Sequence, residues 1–256
     1  MLKRYGFRLI FRMIVFVATF LVYLKDKSLL LLGDLSFRNG LQPVHILWVI
    51  LMGEMILKIF PIEITSIGSR KQFKKFYRPT QQPPTEVEFA TEIKQANVAA
   101  RKVATLWLSG NLVIGLLYAQ GFWGESEMLL ITMAYYVGDL VCILFYCPFQ
   151  FWFMKNRCCV TCRIFNWDCL MMVTPLLFVP SLFSWSLIIP ATLVFLHWEI
   201  AYWRHPQRFF AETNQNLKCR DCLEDVCRLK QPVSERIAGI LRLEGRAVNN
   251  RHHTRS

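Results

Sequence analysis

The sequence predicts an all-α, polytopic integral membrane protein of about six transmembrane helices with a small cytoplasmic, Cys-rich, metal-binding region. Three observations predict it. Of the 256 residues, 54% are hydrophobic. The charges are gathered into a few segments and nearly absent from the long runs between them, where a soluble domain would interleave them. Those runs approach the ~20 residues a helix needs to cross a hydrocarbon core of about 30 Å.

Residues 1–61 hold the first pair of crossings, at 9–24 and 44–60. The first run follows a basic segment and imitates a secretion signal. No small-residue cleavage site follows residues 22–26, so a retained anchor is expected. Residues 62–102 form a basic, then proline-rich, cytoplasmic linker. Within it Thr85 and Glu88 make a capping box for a helix beginning at Glu86, with Phe89, Ile93 and either Ala96 or Ala100 along one apolar side. That helix either lies on the bilayer surface or extends the third crossing inward.

Residues 103–146 hold the second pair, at 103–123 and 128–146, and residues 147–168 form a cytoplasmic Cys-rich loop. Residues 169–203 are a third hairpin, divided into 169–183 and 184–203. Residues 204–256 are a basic, Cys-containing tail. In it Pro232 and Ser234 open an amphipathic helix carrying Ile237, Ile240 and Leu241, which suits a membrane interface or a protein partner.

Orientation follows from the basic residues. With six crossings and the N-terminus inside, every Lys and Arg except Lys25, Lys27, Arg38 and Lys58 lies at or near the cytoplasmic side. The positive-inside rule then puts both termini in the cytoplasm, and the bacterial inner membrane is the expected location. Much of the +12 net charge is this topology signal, with anionic lipid headgroups as its natural partners. Nucleic acid is not expected, because no basic patch is interleaved with the aromatics of a binding module.

The same topology decides the cysteine chemistry. Cys158, Cys159 and Cys162 precede the third hairpin and Cys219, Cys222 and Cys227 follow it, so both clusters share the reducing cytoplasmic side. Cys159 and Cys162, and Cys219 and Cys222, are C-x2-C pairs that together supply four thiolates, the ligand set of structural zinc. Cys147, Cys158 and Cys227 are further candidate ligands. Zinc is preferred. An iron–sulfur cluster is the competitor, although the spacing matches neither ferredoxin pattern. Cys142, inside the fourth crossing, reads as a small apolar residue. A membrane thiol oxidoreductase using Cys159 and Cys162 is a third reading.

A second constellation lies within the membrane, where charges are costly and functional by default. Asp139, Glu54, His197, Glu199 and Asn111 come from four crossings and share the inner half of the bilayer. They form either one site or a set of separate structural contacts. In the structural case Glu54 neutralises Lys58 on its own helix, Glu199 reaches the interface and Asn111 bonds a neighbouring helix. Asp139 has no opposite charge within a turn of its helix, so it needs a partner from another helix, a proton or an ion. No phosphate-cradling glycine loop, nucleophile elbow or H-E-x-x-H motif is present. The function expected is a cysteine-ligated metal centre, zinc or iron–sulfur, serving redox chemistry or metal and ion handling. The alternative is a transport, sensing or scaffold protein in which zinc only clips the loop to the tail.

Overall fold

A computed structural model describes residues 2–33, 40–59, 69–156 and 158–218. Among these residues the chain is helical, with no strand and a single bridge between Pro79 and Asn214. The helices are α1 (Leu2–Lys25), α2 (Pro43–Ile59), α3 (Glu86–Ala119), α4 (Glu125–Leu144), the short α5 (Asp168–Val173) and α6 (Leu182–Arg204). Four of them, α1, α3, α4 and α6, are long and apolar enough to cross a membrane. The 17 residues of α2 rise only about 26 Å, slightly short of a 30 Å core.

Where helices start, the chain supplies the missing acceptors. Thr85 Oγ1 accepts from the Glu88 amide at 3.4 Å while Glu88 accepts from the Thr85 amide at 3.0 Å, so the expected capping box opens α3. From it α3 runs unbroken for 34 residues, about 51 Å, so the capped helix and the third apolar run are one continuous helix. Glu127 reaches back to the Gly124 amide at 2.8 Å to open α4, and the Ser181 hydroxyl accepts from the Ser184 amide at 3.1 Å to open α6.

The expected fifth crossing takes another form. Instead of one helix over 169–183, the chain makes the six residues of α5 followed by a 3-10 segment, Thr174–Phe178, and turns at Pro180. Pro175 at the start of that segment and Pro180 after it lack amide donors, so a continuous i→i−4 ladder cannot form. Cys169, Met172, Val173 and Leu176 are all buried, which makes this element interior packing among α4 and α6 more than a lipid-facing rod. The break before α6 falls at residues 179–181, a few residues earlier than the sequence division.

Contacts between helix ends sort the connections onto two ends of the bundle. At the first, the Leu32 amide donates to Glu125 at 2.7 Å, Ser126 donates to the Lys27 carbonyl at 2.9 Å, and Trp48 donates to Ser186 at 2.7 Å. The end of α1 and the starts of α2, α4 and α6 therefore lie together. At the second end, Gln72 donates to the Val160 carbonyl at 2.7 Å, Ser69 donates to Asn166 at 2.8 Å, and the Gln215 amide donates to the Arg78 carbonyl at 2.8 Å. The linker, the cysteine loop and the segment after α6 thus share one end. The described chain stops there, at Lys218.

Apolar side chains occupy both the interior and the outside of the bundle. Leu51, Met55, Met133, Tyr136, Phe183 and Leu187 form the core, while Ile10, Ile14, Val17 and Leu21 of α1 and Leu108, Leu112 and Leu116 of α3 face outward. Lipid tails are as apolar as these side chains, so close packing and polar contacts, not burial from water, have to hold the helices together. Gly115 shows how tight one such contact is: a Cβ there would overlap the ring of Phe178, in the 3-10 segment. Replacing Gly115 with Leu is expected to lower stability by about 1–3 kcal/mol, the usual cost of overpacking. Unfolding of the full chain in mixed micelles measures this, with Gly110→Leu, where a Cβ meets nothing within 4 Å, as the unaffected control.

Candidate functional site

Two polar centres and one cavity converge toward the second end of the bundle. The first centre is built on Arg12 of α1, which is only 7% exposed. Its Nη2 donates to Glu54 Oε2 of α2 at 2.6 Å, and its Nη1 donates to Asp139 Oδ2 of α4 at 2.9 Å and to the Tyr136 carbonyl at 2.6 Å. The Tyr136 hydroxyl donates to the other oxygen of Glu54 at 2.7 Å, and the Arg12 guanidinium lies 4.2 Å from the centre of the Tyr136 ring. One planar cation thus ties three helices, using the fork of donors that a guanidinium offers and an ammonium lacks. Beside it Lys58 forms an ion pair with Asp168 at the start of α5.

This arrangement corrects the expected pairing. Glu54 and Lys58 lie one turn apart, yet each is neutralised by another helix, because a tertiary partner in a buried site is held in a fixed geometry while an i,i+4 pair on one face is not. Asp139 finds the external cation its surroundings require. In the sequence Arg12 counts toward the orientation signal, and its place inside the first apolar run, 9–24, is the local sign of a further role. Tyr136 and Asp168 gave no such indication.

The second centre holds the cysteine loop. Arg163 makes a forked pair with Glu199 of α6, at 2.6 Å and 2.5 Å, and its Nε donates to Asn97 of α3 at 3.2 Å. The Trp167 indole donates to the same Glu199 at 2.6 Å, and the Tyr202 ring lies 3.7 Å from the guanidinium. Glu199 is therefore a clamp between the loop and α6 and does not simply reach the interface. Asn111 is elsewhere: it donates to the Trp107 carbonyl of its own helix at 2.9 Å and lies 3.5 Å from the Tyr135 hydroxyl of α4. His197 is exposed and meets the Trp198 ring edge-on. Of the five intramembrane polar residues, Glu54 and Asp139 thus share the Arg12 centre, while Glu199, Asn111 and His197 make other contacts.

Between α3, α4 and the cysteine loop lies a cavity of about 190 Å³. Cys142 of α4, Cys147 just after it, and Cys159 and Cys162 of the loop all line it, with Asp139 and Asp168 in its wall. Cys159 and Cys162 are both buried and are joined by a β-turn in which the Cys162 amide donates to the Cys159 carbonyl at 3.0 Å. Gln150 organises the thiols around it: its amide donates to Cys147 Sγ at 3.4 Å, while Cys159 Sγ lies 3.6 Å from its side-chain oxygen. Aromatic rings line the cavity, with Trp107 and Tyr135 at 4.5 Å between centroids and Trp107 and Phe149 at 5.9 Å.

Of the expected metal ligands, Cys159, Cys162 and Cys147 meet at this cavity, joined by Cys142, a packing residue by its sequence context. Cys158 does not line it; its carbonyl accepts from Asn156 at 2.9 Å and from Thr161 at 3.0 Å. Cys219, Cys222 and Cys227 lie outside the described residues. Among the described residues, no three His, Cys, Asp or Glu side chains stand close enough together to hold an ion. Asp139 and Asp168 also line a second cavity of about 70 Å³ beside Arg12, so the thiols and the charged centre share a wall. No family model, curated protein or solved structure matches this chain.

Removing one member of a buried ion pair leaves an uncompensated charge, at a cost of about 3–5 kcal/mol. Arg12→Met should therefore destabilise the protein by that amount. The combination with Glu54→Leu and Asp139→Leu should recover most of the loss, since a matched apolar set restores compensation. Reversible unfolding of the single and triple variants in mixed micelles gives the comparison. A single variant as stable as the parent would show that Arg12 does not hold the bundle together.

Proposed function

We propose that this chain is an integral membrane protein of about six passes, with both termini in the cytoplasm, whose activity is cysteine-centred redox chemistry. In this reading Cys159 and Cys162 cycle between dithiol and disulfide at the inner end of the bundle, giving up two electrons and two protons on oxidation. The observation that carries it is the turn at 159–162. An amide-to-carbonyl bond of 3.0 Å across a β-turn keeps its end Cα atoms within about 7 Å, overlapping the ~4.4–6.8 Å a disulfide requires, and both buried cysteines line one cavity. Cys142 and Cys147 at the same cavity supply thiols for exchange. Six passes accord with the two ends: α2 and the paired α5 and 3-10 segments run as partial crossings between full ones. The distribution of Lys and Arg favours the cytoplasm for the cysteine end and a bacterial inner membrane for the whole.

A second reading is a soft-metal centre, zinc or an iron–sulfur cluster, using the same thiols and the C-terminal C-x2-C pair. Met171 and Met172 also line the cavity, and thioethers beside thiolates suit soft ions. The scatter of thiols around the cavity favours redox over a closed tetrahedral site.

Differential alkylation separates the two. Oxidation of the purified full chain with diamide is expected to remove two alkylatable thiols reversibly, and both Cys159→Ser and Cys162→Ser are expected to abolish that loss. A protein that retains about one zinc per chain, and whose thiols stay protected from diamide until a chelator is added, would overturn the redox reading in favour of the metal centre.

A further inference from the structure

We infer that the cysteine-lined cavity binds the ring of a lipophilic quinone drawn from the bilayer, and that this quinone is the oxidant of Cys159 and Cys162. The inference rests on the redox reading above and names its electron acceptor. Three features of the cavity point to a planar ring. Its lining is predominantly apolar, although it lies beside a buried ion network. Trp107, Tyr135 and Phe149 present three aromatic rings, the surfaces on which a conjugated ring stacks. Its volume of about 190 Å³ exceeds the ~150 Å³ of an apolar cavity known to accept benzene, so one substituted ring fits and an isoprenoid tail has to lie outside.

Gly138 supplies the fourth feature. It lines the cavity from the middle of α4, and a Cβ built on it meets nothing within 4 Å. A helix interior is otherwise weakened by glycine, by roughly 0.5–1 kcal/mol relative to alanine. The residue leaves open space where any other side chain would enter the cavity. Tyr135 and Gly138, one turn apart on α4, and Trp107 on α3 belong to helices long and apolar enough to cross the bilayer, which is where a lipophilic acceptor is dissolved.

The chemistry balances at this position. Oxidation of the two thiols forms one S–S bond and releases two electrons and two protons. The quinone takes up both pairs, its two carbonyl oxygens becoming hydroxyls. Asp168 is the group placed to pass protons: its Oδ2 pairs with Lys58, while its buried Oδ1 has no hydrogen-bond partner among the described residues. An oxidant arriving through the membrane also resolves a difficulty of the cytoplasmic side, where soluble thiol systems keep dithiols reduced.

The test uses the full chain in proteoliposomes with decylubiquinone, whose fully substituted ring resists conjugate addition of thiols. The expected result is one quinol formed per chain with loss of the two alkylatable thiols of Cys159 and Cys162. Gly138→Phe, which fills the cavity, is expected to slow that oxidation about tenfold or more, equivalent to about 1.4 kcal/mol or more. Diamide should still form the disulfide in this variant to completion, which shows that its thiols remain competent, and Gly138→Ala should retain most of the quinone rate. If diamide forms the disulfide but decylubiquinone does not, the quinone assignment is overturned and the redox reading stands. If neither reagent forms it, the redox reading falls and the assignment with it. A Gly138→Phe variant oxidised by quinone as fast as the parent would place the reaction outside this cavity.

Discussion

The bridge from Arg12 to Glu54 and Asp139 is the contact on which the arrangement of α1, α2 and α4 depends. A guanidinium inside an apolar bundle is tolerated when its charge is compensated, and the carboxylates that pair with its two terminal nitrogens come from two other helices. Each helix therefore has one permitted depth and rotation: a slip of one residue along α2 would carry Glu54 about 100° around its axis, away from Arg12. Lys58 and Asp168 extend the constraint to α5. In a bilayer apolar side chains gain little by leaving lipid for one another, so such polar ties specify a register that apolar packing leaves loose.

The same ties determine where the cysteines stand. Asp139 and Asp168, held by Arg12 and Lys58, form the wall between the charged centre and the thiol cavity. On the far side of the loop, Arg163 is forked onto Glu199 and flanked by Tyr202 and Trp167. The loop carrying Cys159 and Cys162 is consequently fastened to α6 by a planar charge-assisted pair, the strongest class of side-chain hydrogen bond, and to α3 by the Arg163–Asn97 bond. Gln150 then joins the thiols to the segment after α4. A cysteine loop on the surface would lie open to solvent. This one has Cys159 and Cys162 buried along an apolar cavity that Trp107, Tyr135 and Phe149 also line.

Much of the secondary structure was legible in the residues. Long apolar runs, the Thr85–Glu88 capping box and the Lys and Arg asymmetry are local or compositional signals, so helices α1, α3, α4 and α6 could be read directly. The fifth apolar run was read as a crossing because hydropathy registers composition; Pro175 and Pro180 convert it into a short helix and a 3-10 segment through missing amide donors. The need of Asp139 for an external partner was also legible, since its own helix offers no cation. The identity of that partner was not, because Arg12 is 127 residues away in sequence.

The sequence by itself determined that this chain is helical and apolar in long segments, that its intramembrane carboxylates needed partners, and that its cysteines were concentrated around a C-x2-C unit. Only the tertiary structure decided which charges neutralise one another, and that Cys142 and Cys147 join Cys159 and Cys162 at one cavity while Asn111, His197 and Glu199 go elsewhere. The physical reason is that propensity, capping and hydropathy act within a few residues of the chain. Ion pairing and the shape of a cavity depend instead on which faces of separate helices meet, and here the buried guanidinium groups of Arg12 and Arg163 fix much of that choice.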